Sequence, residues 1–242
     1  MNTRVIAILV VSAWITATIS GFLGMAGGIS LLAILTIFLP AGLVVPLHGV
    51  VQLCSNLTRT IIFVKHVRWP IFFVYSPPLL FGIYAATLVW SGDKLDWFKP
   101  VIGAFVITFL IWRRYKPKLR TLPIWTYAPL GLVSGFLAIF VGATGPFIAP
   151  FFLRDDFTKE EVVANKAIVQ TWLHLFKIPA FLSLGFDYTP HWGLLSWLIV
   201  AAIIGNVIGK WLLSRISQEA FIVIFEWILG IIGAYLIVAN WL

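Results

Sequence analysis

Acidic side chains are scarce in this chain. Of 242 residues only nine are Asp or Glu, against seventeen Lys or Arg, and all charged residues together make up 11%. A water-soluble domain carries roughly 25% charged residues. At 61% hydrophobic composition the chain fits a lipid bilayer instead. The longest polar stretch, 113–121, is a connecting loop, so no soluble domain is present. Cysteine is almost absent as well. Cys54 alone excludes an internal disulfide and a multi-cysteine metal site. No Ser/His/Asp, Cys/His or metal-ligand spacing occurs, which leaves no catalytic residue, metal site or cofactor to assign. The net charge of +8 does not mark a nucleic-acid binder. Its basic residues lie in short loops between apolar runs, where the positive-inside rule puts them.

Apolar runs are abundant. They predict an all-α polytopic membrane protein with eight spanning helices at 4–23, 43–64, 69–90, 97–112, 124–141, 160–182, 191–213 and 218–241. Trp69, Trp90, Trp97, Trp112, Trp125, Trp192, Trp211 and Trp241 fall at or near the ends of these runs, as an aromatic belt does. The first run is not read as a cleaved leader, because its end, Ser20-Gly21-Phe22-Leu23, returns inside the chain as Ser134-Gly135-Phe136-Leu137.

A polar stripe is written twice into the apolar runs. His48, Gln52, Asn56 and Arg59 recur 118 positions later as Lys166, Gln170, His174 and Lys177. Offsets of 4, 8 and 11 keep each set on one helix face at about 3.6 residues per turn. Between the first two long helices of each half lie a glycine-rich break and a shorter apolar piece. The breaks are 24–28 and 142–146, and the pieces are 29–39 and 147–153. Such pieces are too short to span as ordinary helices and read as half-helices or re-entrant segments. The chain thus divides into a first repeat at 1–112, a basic cytoplasmic linker at 113–123 and a second repeat at 124–242. Duplicated halves with broken helices are the build of secondary transporters. If each short piece with its break completes a crossing, Arg154, Lys159, Lys210 and Arg215 join the basic linker on one side, leaving Arg4, Lys94 and Lys99 opposite. That count favours inverted repeats over pieces that re-enter without crossing.

The stripes point to an anion. A single Gln52, Asn56 or Gln170 serves equally well as interhelical glue, but buried cations need a counter-charge. Asp93, Asp96, Asp155, Asp156, Glu160, Glu161, Asp187 and Glu219 sit in loops or at a helix start, and only Glu226 lies well inside a span. One carboxylate cannot balance Arg59, Lys166 and Lys177 together, so a bound anion is expected to supply the missing charge. Arg59, Lys177 and Lys166 could alternatively reach an interface. In the breaks, Gly27, Gly28, Gly142, Ala143, Thr144 and Gly145 would offer backbone N–H groups at half-helix N-termini, against the alternative of close packing through small residues. His48, His174 and Glu226 are candidates for proton coupling, against the alternative of fixed hydrogen bonds and of Glu226 pairing with Lys210 or Arg215. Asp155-Asp156 with Glu160-Glu161 reads as a solvated loop and helix start. With two lysines in its stripe, the second half is expected to hold the anion more tightly.

Gly21-Phe22-Leu23-Gly24-Met25-Ala26-Gly27-Gly28, the stretch from His48 to Arg59 and their second-half counterparts resemble the TauE/SafE sulfite exporter family, also called the 4-toluenesulfonate uptake permeases. The resemblance covers nearly the whole chain. It implies secondary transport of sulfite or an organosulfonate across a bacterial cytoplasmic membrane, with breaks and stripes around the substrate. Ala26 and Ala143 depart from it, standing where the family often has further glycine. The expectation is an exporter working by alternating access, whose partners are a small anion, membrane lipids and, as a candidate coupling ion, the proton. A passive anion channel, a membrane enzyme acting on a lipid or sulfur species and a structural subunit are the alternatives.

Overall fold

The computed structural model describes residues 2–90, 98–115 and 122–238. Among the described residues there are ten α-helices and no strand. They are α1 Thr3–Leu23, α2 Gly27–Phe38, α3 Ala41–Ile62, α4 Trp69–Leu88, α5 Phe98–Tyr115, α6 Tyr127–Val141, α7 Gly145–Phe152, α8 Lys159–Ser183, α9 Trp192–Leu213 and α10 Gln218–Val238. Six apolar stretches are long enough to cross a membrane, in α1, α3, α4, α6 with its preceding turn, α9 with its preceding turn, and α10. Of the eight spans expected, α5 has an apolar stretch of only Pro100–Ile111. The other, α8, is long but carries Lys159, Glu160, Glu161, Lys166 and Lys177. Lys94, Trp97, Trp241, Asp93, Asp96, the side chains of Lys99, Trp112 and Arg113, and the basic linker at 116–121 lie outside the described residues.

Local chemistry sets the helix ends. α1 stops at Gly24, whose φ of 70° lets its N–H return to the Ser20 carbonyl at 2.7 Å. α8 starts with a capping box, Thr158 accepting from the Glu161 N–H while Glu161 accepts from the Thr158 N–H. The short helices begin earlier than the sequence pattern indicates. Gly27, Gly28, Gly145 and Pro146 belong to their first turns. Proline suits that position, because its missing N–H would be unpaired there anyway. Gly27 is needed for contact: a Cβ there would sit 1.8 Å from the Thr16 carbonyl oxygen of α1.

The most extensive packing pairs α1 with α9 and α4 with α6, followed by α3 with α8 and α5 with α10. The first two pairs run parallel. Gly205 meets Trp14 and Thr18 of α1, and Gly209 meets Thr18 and Gly21. Likewise Gly131 meets Tyr75 of α4, and Gly135 meets Leu79 and Ile83. Such close approach through small residues gives membrane helices their dispersion contacts, since lipid supplies no hydrophobic drive for helix association. The other two pairs are antiparallel. On α3 and α8 the His48 and His174 rings meet at 5.9 Å, whereas Thr60 bonds Thr171 at 3.1 Å. On α5 and α10, Gly103 lies against Gly233 and Ile237, and Leu110 against Gly230.

One end of the bundle collects the connections after α3, α7 and α9. Lys159 donates from its Nζ to the Leu213 carbonyl at 3.1 Å and to the Ile216 carbonyl, and from its backbone N–H to Gln218. Arg68, just before α4, ion-pairs with Asp156 at 3.0 Å and with Glu161 at 2.9 Å. Arg154, Lys159 and Arg215 are therefore gathered at the end where Arg68 lies. Trp69, Trp125, Trp192 and Trp211 are exposed at helix ends, as the belt reading expects.

Candidate functional site

A small cavity lies where the two breaks and the two striped helices meet. It is lined from the first half by Ser20, Gly24, Met25, Ala26, Gly28, Ile29, His48, Gln52 and Arg59. From the second half come Ala143, Gly145, Pro146, Gln170 and His174. The first turns of α2 and α7 both contribute, so two helix N-termini open on the same space. Each glutamine amide rests on a glycine of the adjacent short helix. A Cβ on Gly28 would lie 3.2 Å from Gln52 Oε1, and one on Gly145 would lie 3.4 Å from Gln170 Nε2. His48 Nε2 donates to the Gly28 carbonyl at 2.8 Å. Its Nδ1 and the His174 Nδ1 are buried without a hydrogen-bond partner among the described residues.

The cations are placed unequally. The Arg59 guanidinium is in the wall, donating to the Ser20 carbonyl at 3.0 Å and to Asn56 Oδ1 at 2.5 Å. Asn56 is thus a support for Arg59 and is not in the wall; its amide donates to the Gln52 carbonyl at 2.7 Å. Lys177 runs over Gly49 and donates to the Gly142 carbonyl at 3.0 Å, satisfying an end of α6. Lys166 is fully buried, with its Nζ 5.4 Å above the Phe225 ring and no hydrogen-bond partner among the described residues. Neither lysine lines the cavity. Gly27, Gly142 and Thr144 also stand behind it. Glu226 is remote, lining a groove between α5 and α10 with Arg114 and Trp227. Among the described residues no buried polar side chain is a carboxylate.

Several wall residues carry no polar signal in sequence. Met25, Ile29 and Pro146 look like ordinary apolar positions, and only fold geometry turns them inward. Ser20 and Gly24 were marked by the duplicated Ser-Gly-Phe-Leu segment and the break. Ala26 is the one non-glycine residue with positive φ among the described residues, at φ 72° and ψ −50°. That is the strained γ-turn region, so glycine would fit better there. Ala143 is not in such a conformation.

A second polar cluster lies at the end where Arg68 sits. Arg68 bonds both Glu161 oxygens and both the side chain and carbonyl of Asp156, and its N–H donates to Asn165 Oδ1 at 2.8 Å. Arg154 holds Asp156 from the other side at 2.7 and 2.8 Å. Both guanidinia lie over the Phe157 ring, at 4.3 and 4.7 Å. Burial pushes the Asp156 carboxyl up, but the Arg154 bonds and the charges of Arg154 and Arg68 outweigh it and hold it below the usual range. The acidic segment is therefore paired, not simply solvated.

No curated protein and no solved structure matches the chain. A family model described as sulfite exporter TauE/SafE matches residues 9–236. That family consists of membrane transporters, not enzymes. With a match over this length, on an all-helical fold with six apolar stretches long enough to span, the chain belongs to the sulfite exporter TauE/SafE family.

Proposed function

We propose that the chain is a secondary transporter that moves sulfite or a small organosulfonate through the central cavity by alternating access. The observation that carries this reading is the donor set without an acid. Arg59, the amides of Gln52 and Gln170, two imidazoles and the first turns of α2 and α7 converge on one space, and among the described residues no buried carboxylate competes for them. An anion there gains charge-assisted hydrogen bonds and helix-end dipoles together. Lys166 and Lys177 add positive field from behind the wall. The cavity measures about 20 Å³, room for roughly one water. It is a closed state that the halves must part to load.

The two halves are read as inverted repeats, 1–112 and 124–242 on either side of the basic linker. Exchanging them turns the α1–α9 pair into α6–α4 and maps α3–α8 and α5–α10 onto themselves. The self-paired helices are antiparallel, which fits a two-fold axis in the membrane plane. Eight long helices then span, and α2 and α7, each together with its break, complete a further crossing in each half. Gathering Arg154, Lys159 and Arg215 with Arg68 favours that end as the cytoplasmic one under the positive-inside rule, and membership of the family suggests a bacterial inner membrane. An inside-negative potential drives each anionic charge outward by about 2.3 kcal/mol per 100 mV, so export can run without a coupling ion. If protons do participate, His48 and His174 face the cavity, whereas Glu226 lies in a different groove.

The test is a thermal-shift titration of purified protein with sulfite and with methanesulfonate. Both anions, or one of them, should raise the melting temperature of the native chain in a saturable way, and Gln52→Ala and Gln170→Ala should each weaken that effect while still folding. Unchanged binding in both variants sinks the site. Saturable flux with counter-exchange in proteoliposomes separates a carrier from a channel.

A further inference from the structure

We propose that Arg68, with Asp156, Glu161 and Arg154, forms a latch between the two halves that closes the cytoplasmic mouth of the path to the cavity. This inference rests on the transport reading above and adds the device that keeps one side shut. Arg68 belongs to the first half. Every polar group it holds belongs to the second: the Asp156 side chain and carbonyl, both Glu161 oxygens and Asn165. The contact is also tied backbone to side chain in the reverse direction, because Asn165 Nδ2 donates to the His66 carbonyl at 3.2 Å. Glu161 and Asn165 lie on α8, the helix that carries Gln170 and His174 into the cavity wall. Arg68 caps α4 and is joined by the short turn at 63–67 to α3, which carries Gln52 and Arg59. Parting α3 from α8 at this end therefore breaks the cluster.

Its composition suits a reversible closure. Arg68 is partly open to water, with 37% of its side chain exposed, and Asp156 and Glu161 are 28% and 20% exposed. Water can take over these bonds when the halves separate, so release does not leave charges stranded in lipid. Arg154 is buried and remains paired to Asp156 and to the Tyr127 hydroxyl within the second half. It acts as a fixed seat from which Arg68 departs. Both guanidinia rest against the Phe157 ring.

The charged residues of the cluster do not recur at the matching positions of the other half. Displaced by the same 118 positions as the stripes, Arg68 corresponds to Phe186, Glu161 to Leu43 and Asn165 to Leu47, while Phe38 corresponds to Asp156. At these positions the inverted half thus repeats the backbone without repeating the charges.

The experiment uses the full-length chain with Cys54→Ser to remove the native thiol and Met25→Cys to put a reporter in the cavity wall. Right-side-out and inverted vesicles are treated with a membrane-impermeant methanethiosulfonate reagent, so that each face is probed separately. Arg68→Gln, and independently Asp156→Asn with Glu161→Gln, should raise labelling from the cytoplasmic face by roughly tenfold, a shift in an open–closed equilibrium, without raising it from the other face. Cytoplasmic labelling at the parent rate in both variants overturns the latch. So does an equal rise at both faces, which marks general loosening. Protection of the reporter by methanesulfonate, which does not attack the reagent, is read in the same vesicles. Its absence counts against the anion site, whereas the face-selective rise decides the latch.

Discussion

At the ends of their stripes, α3 and α8 use like residues in unlike ways. Arg59 on α3 stands in the cavity wall, its fork fixed by Asn56 and the Ser20 carbonyl. Lys177, at the matching place on α8, folds back to the Gly142 carbonyl and leaves the wall to His174. Lys166, at the head of the second stripe, lies against Phe225, while His48, at the head of the first, lines the cavity. Counting charges along the stripes gives the stronger grip to the second half. The wall instead takes its guanidinium from the first. A lysine is a flexible point charge and settles on the nearest free acceptor, here the end of α6, whereas a planar guanidinium held at two nitrogens keeps its direction.

That contrast can be broken by mutation, and the largest effect is expected at Arg59. Arg59→Met should weaken sulfite binding roughly 10- to 100-fold, because a hydrogen bond to a charged group contributes about 1.5–3 kcal/mol. Isothermal titration would measure it, and an affinity within threefold of native would contradict the assignment. Lys177→Met should do the converse. Leaving the buried Gly142 carbonyl unpaired costs about 1–3 kcal/mol, so the melting temperature falls while sulfite affinity changes by no more than about threefold. Next come Gln52→Ala and Gln170→Ala, each losing a neutral bond of about 0.5–1.5 kcal/mol. Similar losses in the two indicate that both halves hold the anion, and a loss in one alone would assign the grip to that half.

The two breaks can be compared in the same way. Ala26→Gly relieves a strained positive φ and should stabilise the chain by about 1 kcal/mol, read as a rise in melting temperature. Ala143→Gly should give no gain, since Ala143 carries no such strain. The smallest effect concerns pH at the latch. The Asp156 carboxyl is held below its ordinary 3.8, so its contribution is complete above that value and fades as pH falls through the lowered one. The melting-temperature gap between the native chain and Asp156→Asn should therefore be constant from neutral pH down to about pH 4 and shrink below it. A gap that closes near neutrality would point to a histidine instead.

Much of this molecule was legible in its sequence, for physical reasons that also mark where legibility stops. Apolar runs and the glycine-rich breaks at 24–28 and 142–146 located the helices, because lipid permits few ways to end one. Stripe spacing brought His48, Gln52, Arg59, Gln170 and His174 to one cavity. Spacing fixes the face of a helix but not the rotamer. It could not tell that Asn56, Lys166 and Lys177 stand behind the wall. Nor could it pair Arg68 with residues about 90 positions away, although the Thr158-x-x-Glu161 capping box was written plainly enough. Met25 and Ile29 were silent because apolar residues in an apolar chain carry no contrast.

Selenite, the heavier analogue of sulfite, offers the most direct test of the cavity as the anion site. In crystals of the native chain soaked with selenite, anomalous scattering should place selenium between Gln52 and Gln170, within hydrogen-bond reach of the Arg59 guanidinium. Selenium bound to Lys166 or Lys177 outside that wall, or only among Arg68 and Arg154 at the end of the bundle, would contradict it.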